Sequence, residues 1–264
     1  MTQADRLKLT DVLDAARAEA LHATLGLEGR PAAPLIPFAH QIYFWEPRRA
    51  ARLGDDGHPR PGDGLIPDMG LPRRMWAGGR LEFHAPLRPG KLAEKRSRRL
   101  SAERKTGRSG ALGLVTLHHE ISQDGKLCVT EEQDLIYREA ARPDSPAPQP
   151  PSAPDGAEES RAAEFTSTML FRYSALTFNG HRIHYDADYA REVEGYSGLV
   201  VHGPLLAQLL MLMAESALGG LSRFRFRATA PLFVSETAQL CRSGSRLWVR
   251  GPDGRQCMEA EAEG

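Results

Sequence analysis

Between residues 173 and 204 the chain gathers side chains that can move protons. The run Tyr173-Ser-Ala-Leu-Thr-Phe-Asn179-Gly-His181-Arg182-Ile-His184-Tyr-Asp186 holds two imidazoles, an amide and a guanidinium, and Val201-His202-Gly203-Pro204 follows it. An imidazole, with an ordinary pKa of about 6.5, takes and returns a proton near neutral pH, which suits His184 to general acid-base work. Gly203 and Pro204 open an apolar segment. A helix starting there has backbone N–H groups without partners, and a glycine lets a ligand approach them. Such an end stabilises an anion or a polarised carbonyl oxygen. The chemistry this predicts is proton transfer at carbons next to a carbonyl whose oxygen rests on the helix start. Asn179, five positions before His184, cannot exchange a proton at any useful pH, so its expected role is to orient a water molecule by hydrogen bonds. The plainer reading is a buried helix with its cap and histidines packed in a core.

Other chemistries fit less well. His181-x-x-His184 could hold zinc, but no cysteine or third histidine stands at ligand spacing, so no metal is expected. Gly195-Tyr-Ser197-Gly198 is one residue short of a serine-hydrolase nucleophile elbow.

Residues 173–184 resemble the hydratase motif of the MaoC-like hot-dog dehydratases, in which an acidic residue precedes a catalytic histidine by five positions. Asn179 stands at the acidic position and His184 at the catalytic one. Val201-His202-Gly203-Pro204 is similar to that family's helix start, where the N–H at the glycine holds a thioester carbonyl. The phrase Leu176-Thr-Phe-Asn-Gly-His-Arg-Ile-His-Tyr-Asp186 is closer still to the branch containing mesaconyl-CoA (3-methylfumaryl-CoA) hydratases, itaconyl-CoA hydratases and mitochondrial 3-hydroxyacyl-thioester dehydratases.

The resemblance implies an α+β double hot-dog: two antiparallel curved sheets, each around a helix, with the C-terminal helix best formed. It implies reversible addition of water to a short dicarboxylic enoyl-CoA such as mesaconyl-CoA or itaconyl-CoA, giving citramalyl-CoA, through Asn179, His184 and Gly203. His181, Arg182 and Arg172 are candidates to bind the second carboxylate, and His202 to support the helix start. Met75-Trp76-Ala-Gly-Gly79 looks like a turn near the acyl-CoA in the family's first half. No cofactor is implied beyond the coenzyme A of the substrate. A fatty-acid-type 3-hydroxyacyl-thioester dehydratase is the alternative, followed by a hot-dog thioesterase and by an acyl-CoA binder without turnover.

The elements that would position these residues can be read along the chain. Residues 10–27 carry apolar side chains at helical spacing, with Thr10 or Asp11 as cap and Gly26 as stop. Residues 54–79, rich in Gly, Pro and Asp, form a long surface excursion of the kind that covers or lines something. Residues 80–85, 91–105, 111–121 and 127–137 read as strands of an antiparallel sheet, with Gln123-Asp-Gly-Lys126 as a hairpin turn. Residues 88–108 are dense in Lys and Arg, and Lys105-Thr-Gly-Arg108-Ser-Gly110 makes Arg108 a candidate for the phosphates of coenzyme A. Residues 140–160, rich in proline, read as an extended or disordered linker between an N-terminal hot-dog domain (1–139) and a C-terminal catalytic one (161–264). After it, Phe224-Arg-Phe-Arg-Ala-Thr-Ala-Pro-Leu232 echoes Leu81-Glu-Phe-His-Ala-Pro-Leu87, which suggests one fold used twice.

Composition narrows the partners. The 34 Lys and Arg balance the 34 Asp and Glu, so neither nucleic acid nor an anionic membrane is expected as a partner. The run after Pro204 is too short to span a bilayer. Three cysteines without metal spacing predict free thiols in a reducing compartment, and no apolar signal core follows Met1, so the expected location is cytoplasmic. The expected partners are an acyl-CoA thioester and, as a homodimer, a second copy of the chain.

Overall fold

A computed structural model describes residues 6–29, 31, 34–62, 64–107, 110–140 and 149–264. Its elements in chain order are β1 (Arg6–Val12), α1 (Ala15–Leu25), β2 (Arg73–Phe83), β3 (Leu92–Gly107), β4 (Gly110–Gln123), β5 (Lys126–Arg138), β6 (Glu159–Ala163), α2 (Ser167–Leu176), α3 (Ala187–Glu192), α4 (Gly203–Leu218), β7 (Arg223–Ala228), β8 (Ala238–Ser243), β9 (Arg246–Arg250) and β10 (Gln256–Glu263). All ten strands form one sheet in the order β1-β3-β4-β5-β2-β7-β10-β9-β8-β6. Read from either edge, the five strands of each half follow the same path: first, third, fourth, fifth, second. The repeat suggested by the sequence is therefore a repeat of topology. Leu81 and Phe224, which open the two echoing phrases, face each other across the β2–β7 seam. Where two separate sheets were expected, this pairing makes them continuous.

The seam depends on glycine. A Cβ on Gly78 would lie 2.5 Å from the Phe226 carbonyl oxygen, and the register of β2 shifts between Trp76 and Gly78. Residues 75–79, expected as a turn, are thus strand with a bulge, held flat against β7 by the missing side chains. The hairpin at Asp124 and Gly125 is as expected, with both residues at positive φ (52° and 74°).

One face of the sheet buries the helices. α4 is apolar almost all round, with Leu205, Leu210, Met211 and Ala214 fully buried, so it sits inside the curve of the sheet rather than on its surface. In the first half the stretch between α1 and β2 holds two short 3-10 turns, Ala39–Ile42 and Ala50–Arg52, and no long helix. The C-terminal central helix is accordingly the better formed. α1 begins later than its periodicity suggested: Asp14 caps it by accepting from the N–H groups of Ala16 and Arg17, and the preceding residues pair as β1 with β3.

Under the first half Glu131, 1 % exposed, accepts hydrogen bonds from Gln41 Nε2 at 2.8 Å and lies 3.0 Å from His40 Nε2. Burial pushes the Glu131 carboxyl up, but the His40 hydrogen bond and the surrounding charges outweigh it and hold it down at about 2.

Residues 141–148 of the expected linker lie outside the described ones. The remainder is packed: Pro151 accepts from the Gln256 N–H, Ala153 is buried, and residues 159–163 are strand β6 on the β8 edge. The proline-rich composition hid this, because these contacts are made mainly by backbone.

Candidate active site

The start of α4 is chemically open. His202, in extended conformation (φ −60°, ψ 128°), is its N-cap and makes no capping hydrogen bond with its side chain. The first helical bond runs from the Leu206 N–H to the His202 carbonyl, which leaves the N–H groups of Gly203 and Leu205 ahead of it, and Pro204 has none. A Cβ placed on Gly203 would meet only the Trp76 carbonyl oxygen, at 3.8 Å. Strand β2 of the first half therefore passes beside the helix start of the second.

His184 is brought to this point by a single 3-10 turn, Arg182–His184. Its Nδ1 lies 2.7 Å from the Val200 carbonyl; a carbonyl only accepts, so Nδ1 carries the proton and Nε2 keeps its lone pair. The ring stacks on that of His202, with centroids 3.6 Å apart and planes at 19°. It thus sits against the residue that caps α4. His184 is 6 % exposed, and burial pushes its pKa down to about 4 against the opposing pull of the Val200 hydrogen bond. At neutral pH it is an uncharged base.

His202 has no exposed surface. Its Nε2 bonds Ser174 Oγ at 2.8 Å and the Tyr173 ring meets it edge-on, while His202 Nδ1 and the Tyr173 hydroxyl are buried without partners among the described residues. Burial, with His184 and His181 beside it, holds the His202 pKa well below its usual range. Its ring is the surface on which His184 stacks.

The remaining expected residues divide. Asn179 Oδ1 accepts the His181 N–H at 3.0 Å, so its carbonyl serves the local turn while its amide N–H groups remain for a ligand. One lone pair of that oxygen is thus taken by the local turn. His181 meets His184 edge-on at 5.5 Å and is buried; burial, with His184 and the charges of Arg74 and Arg73 nearby, lowers it to about 3. Arg182 is occupied: it pairs with Asp186 at 2.7 Å, donates to the Asp55 carbonyl and lies over the Tyr189 ring. Arg172 is on the exposed side of α2, whose buried residues are Leu170, Tyr173 and Ser174. Neither arginine is placed to bind a second carboxylate. Trp76 is a packing residue, tilted against Phe38 and Phe226 with its indole N–H on the Gly78 carbonyl, and it touches the site through its backbone. Arg108 lies outside the described residues.

The structure adds residues that the sequence did not single out. The excursion after residue 53 turns tightly and meets the second half: the Arg182 N–H donates to the Asp56 carbonyl, and a Cβ on Gly180 would come 2.5 Å from the Gly57 carbonyl oxygen. This contact delivers His58 to within 4.6 Å of His181, ring to ring. Arg74 Nη2 donates to His58 Nδ1 at 2.9 Å. Asp56, His58 and His181 offer ligand atoms within 4.8 Å of one another. The only signal in the sequence was the length of the excursion. Two surface grooves, one on the wet face of the sheet and one beside Pro34 and Leu87, are not lined by any of these residues.

Comparisons with known proteins agree with this geometry. A family model described as hydroxyacyl-thioester dehydratase type 2 matches residues 38–234. The chain is 44% identical over 261 residues to a mesaconyl-C(4)-CoA hydratase of Chloroflexus aurantiacus, covering 95% of this chain and 92% of that protein. It is 27% identical over 246 residues to the mitochondrial hydroxyacyl-thioester dehydratase type 2 of Schizosaccharomyces pombe, covering 81% and 80%. Among solved structures, HtdX of Mycobacterium tuberculosis superposes with a TM-score of 0.70 at 18% identity over 98% of this chain and 99% of that one. Another protein of that organism, described as a double hotdog fold, gives 0.62 at 14% identity over 99% and 96%. At these identities the two solved structures speak for the fold alone.

Proposed function

Since the chain belongs to the hydroxyacyl-thioester dehydratase type 2 family of MaoC-like hot-dog hydro-lyases, we propose that it adds water reversibly across the double bond of a short dicarboxylic enoyl-CoA thioester, with mesaconyl-CoA as substrate and citramalyl-CoA as product. The observation that carries this reading is the His184 ring lying on the N-cap of α4 with Nε2 unprotonated. With the thioester carbonyl oxygen at the Gly203 N–H, water attacks the β carbon as Nε2 takes its proton. The electron pair displaced toward the carbonyl oxygen is stabilised by the helix start, where one well-aimed donor contributes about 3 kcal/mol. The imidazolium then gives its proton to the α carbon. A ring with a pKa of about 4 is a weak base but a strong acid once charged, so the return step is fast. Asn179 holds the water through its amide N–H groups. Coenzyme A arrives as part of the substrate.

Support for a dicarboxylic substrate comes from the relative named as a mesaconyl-C(4)-CoA hydratase, and for the fatty-acid-type dehydratase as second reading from the relative of Schizosaccharomyces pombe. The test is mass spectrometry of a panel of thioesters incubated with the protein: mesaconyl-, itaconyl-, crotonyl- and medium-chain enoyl-CoA. Gain of one water by mesaconyl-CoA at the highest kcat/KM supports the proposal. Preference for the medium chain favours the second reading, and release of free coenzyme A without water gain would replace both by a thioesterase.

A further inference from the structure

The proposed reaction leaves one arginine unexplained. Arg73 is neutralised by Glu194 at 2.7 Å and lies over the Tyr196 ring, and Arg182 is neutralised by Asp186. Arg74 makes no salt bridge among the described residues; the acid its charge acts on is Asp56. Its guanidinium donates to a neutral acceptor, His58 Nδ1. Directly opposite Arg74 in the β2–β5 register stands Tyr137, and residues so paired point to the same side of a sheet. The Tyr137 hydroxyl is buried, and the group within reach of it is the Arg74 guanidinium. A part-buried guanidinium whose hydrogen bonds go to neutral groups keeps its full charge available for an anion.

The groups between Arg74 and His184 suit an anion. A guanidinium has only N–H to give, so its bond to His58 Nδ1 fixes the proton of that ring on Nε2 and makes Nε2 a donor. The His58 ring leads to His181 at 4.6 Å, and His181 to His184 at 5.5 Å. In a trans-butenedioyl thioester the second carboxylate is bonded to the β carbon, on the side away from the thioester. With the carbonyl at Gly203 and the β carbon at His184 Nε2, that carboxylate extends beyond His184, whose next ring neighbour is His181, with His58 beside it.

We infer that Arg74, with His58 and His181, forms the seat for the free carboxylate of the substrate and so sets the preference for dicarboxylic over monocarboxylic thioesters. The inference rests on the hydratase reading and specifies it. Asp56 is the acidic member of the cluster, and its Oδ1 is taken up by the backbone N–H of His58 at 3.0 Å. A divalent cation on Asp56, His58 and His181 is disfavoured by the guanidinium bonded to His58, since bringing two cations together in a buried site costs more than the ligands return.

The test compares wild type, Arg74→Met and Arg74→Lys on mesaconyl-CoA and crotonyl-CoA, with melting curves to confirm folding and zinc content measured on each protein. Loss of a charge-assisted pair predicts that Arg74→Met lowers the preference for mesaconyl-CoA over crotonyl-CoA roughly 10- to 100-fold, mostly through KM, with partial rescue by Arg74→Lys. An unchanged preference in a folded variant overturns the inference. So does zinc that co-purifies with the wild type and is lost on His58→Ala, which makes the cluster a metal site. Water addition to neither thioester by the wild type would instead remove the hydratase reading beneath it.

Discussion

At the residue scale the proposed chemistry rests on two atoms, His184 Nε2 and the Gly203 nitrogen. Because the Gly203 N–H precedes the first helical bond of α4, Gly203→Pro deletes it without removing a helical hydrogen bond, and proline is at home at the start of a helix. The variant should fold with a melting temperature near that of the wild type and lose roughly 100-fold in kcat; an unaltered kcat, read by steady-state kinetics, would place the carbonyl elsewhere. His184 must be unprotonated to act, and burial holds its pKa at about 4. As pH falls the ring is protonated and activity is lost, so kcat/KM should stay level through the neutral range and drop toward pH 4 instead of near the ordinary histidine value. A pH-rate profile with its acid limb near 6.5 would show a solvated ring. The identities of His184 and Gly203 were readable from spacing and family likeness. The role of Asn179 was only half readable, because which of its amide atoms is free depends on the turn that its carbonyl closes with the His181 N–H. Arg74 and His58 were not readable at all: they stand more than 100 positions before His184 in the sequence and reach it only through tertiary contact.

At the scale of elements, the site is made where a loop of the first half touches a loop of the second. Gly57, at φ +85°, and Gly180 meet backbone to backbone, and a Cβ on Gly57 would lie 2.0 Å from the Gly180 carbonyl oxygen. No side chain can yield to relieve that approach. Gly57→Ala should therefore push the excursion off residues 180–182, withdraw His58 from His181, and reduce hydration at least about 10-fold while costing about 1–3 kcal/mol of stability. Normal kinetics and melting in that variant would show that the loop contact does not shape the site. The sequence marked this excursion as one that covers something, since Gly, Pro and Asp over such a length rarely form a mere connection, but not what it covers. The strand at residues 75–79 was misread as a turn for a physical reason: paired glycines usually signal chain reversal, and here they permit two strands to approach.

At the scale of the whole molecule, the repeat of five strands was legible in the echo of Leu81-Glu-Phe and Phe224-Arg-Phe, and the balance of charge was legible in composition. The union of the two halves into one sheet was not, because edge pairing of β2 with β7 is made by backbone groups that carry no sequence signature. The halves have diverged in what they bury. The second keeps an apolar helix, whereas the first holds the His40, Gln41 and Glu131 cluster under its sheet. Glu131→Ala leaves that cluster without its acceptor and should destabilise the protein by about 3–5 kcal/mol, the usual result of removing one member of a buried pair. A denaturation midpoint equal to wild type would mean that water reaches the cluster. The account as a whole stands on one imidazole passing a proton at the amino end of α4, and the measurement that bears on it most directly is the rate of water addition to mesaconyl-CoA by wild type and His184→Ala, followed by mass spectrometry alongside melting curves. The account predicts that the variant melts as the wild type does and gains water at least about 100-fold more slowly. A folded variant that hydrates the thioester at the wild-type rate would contradict it.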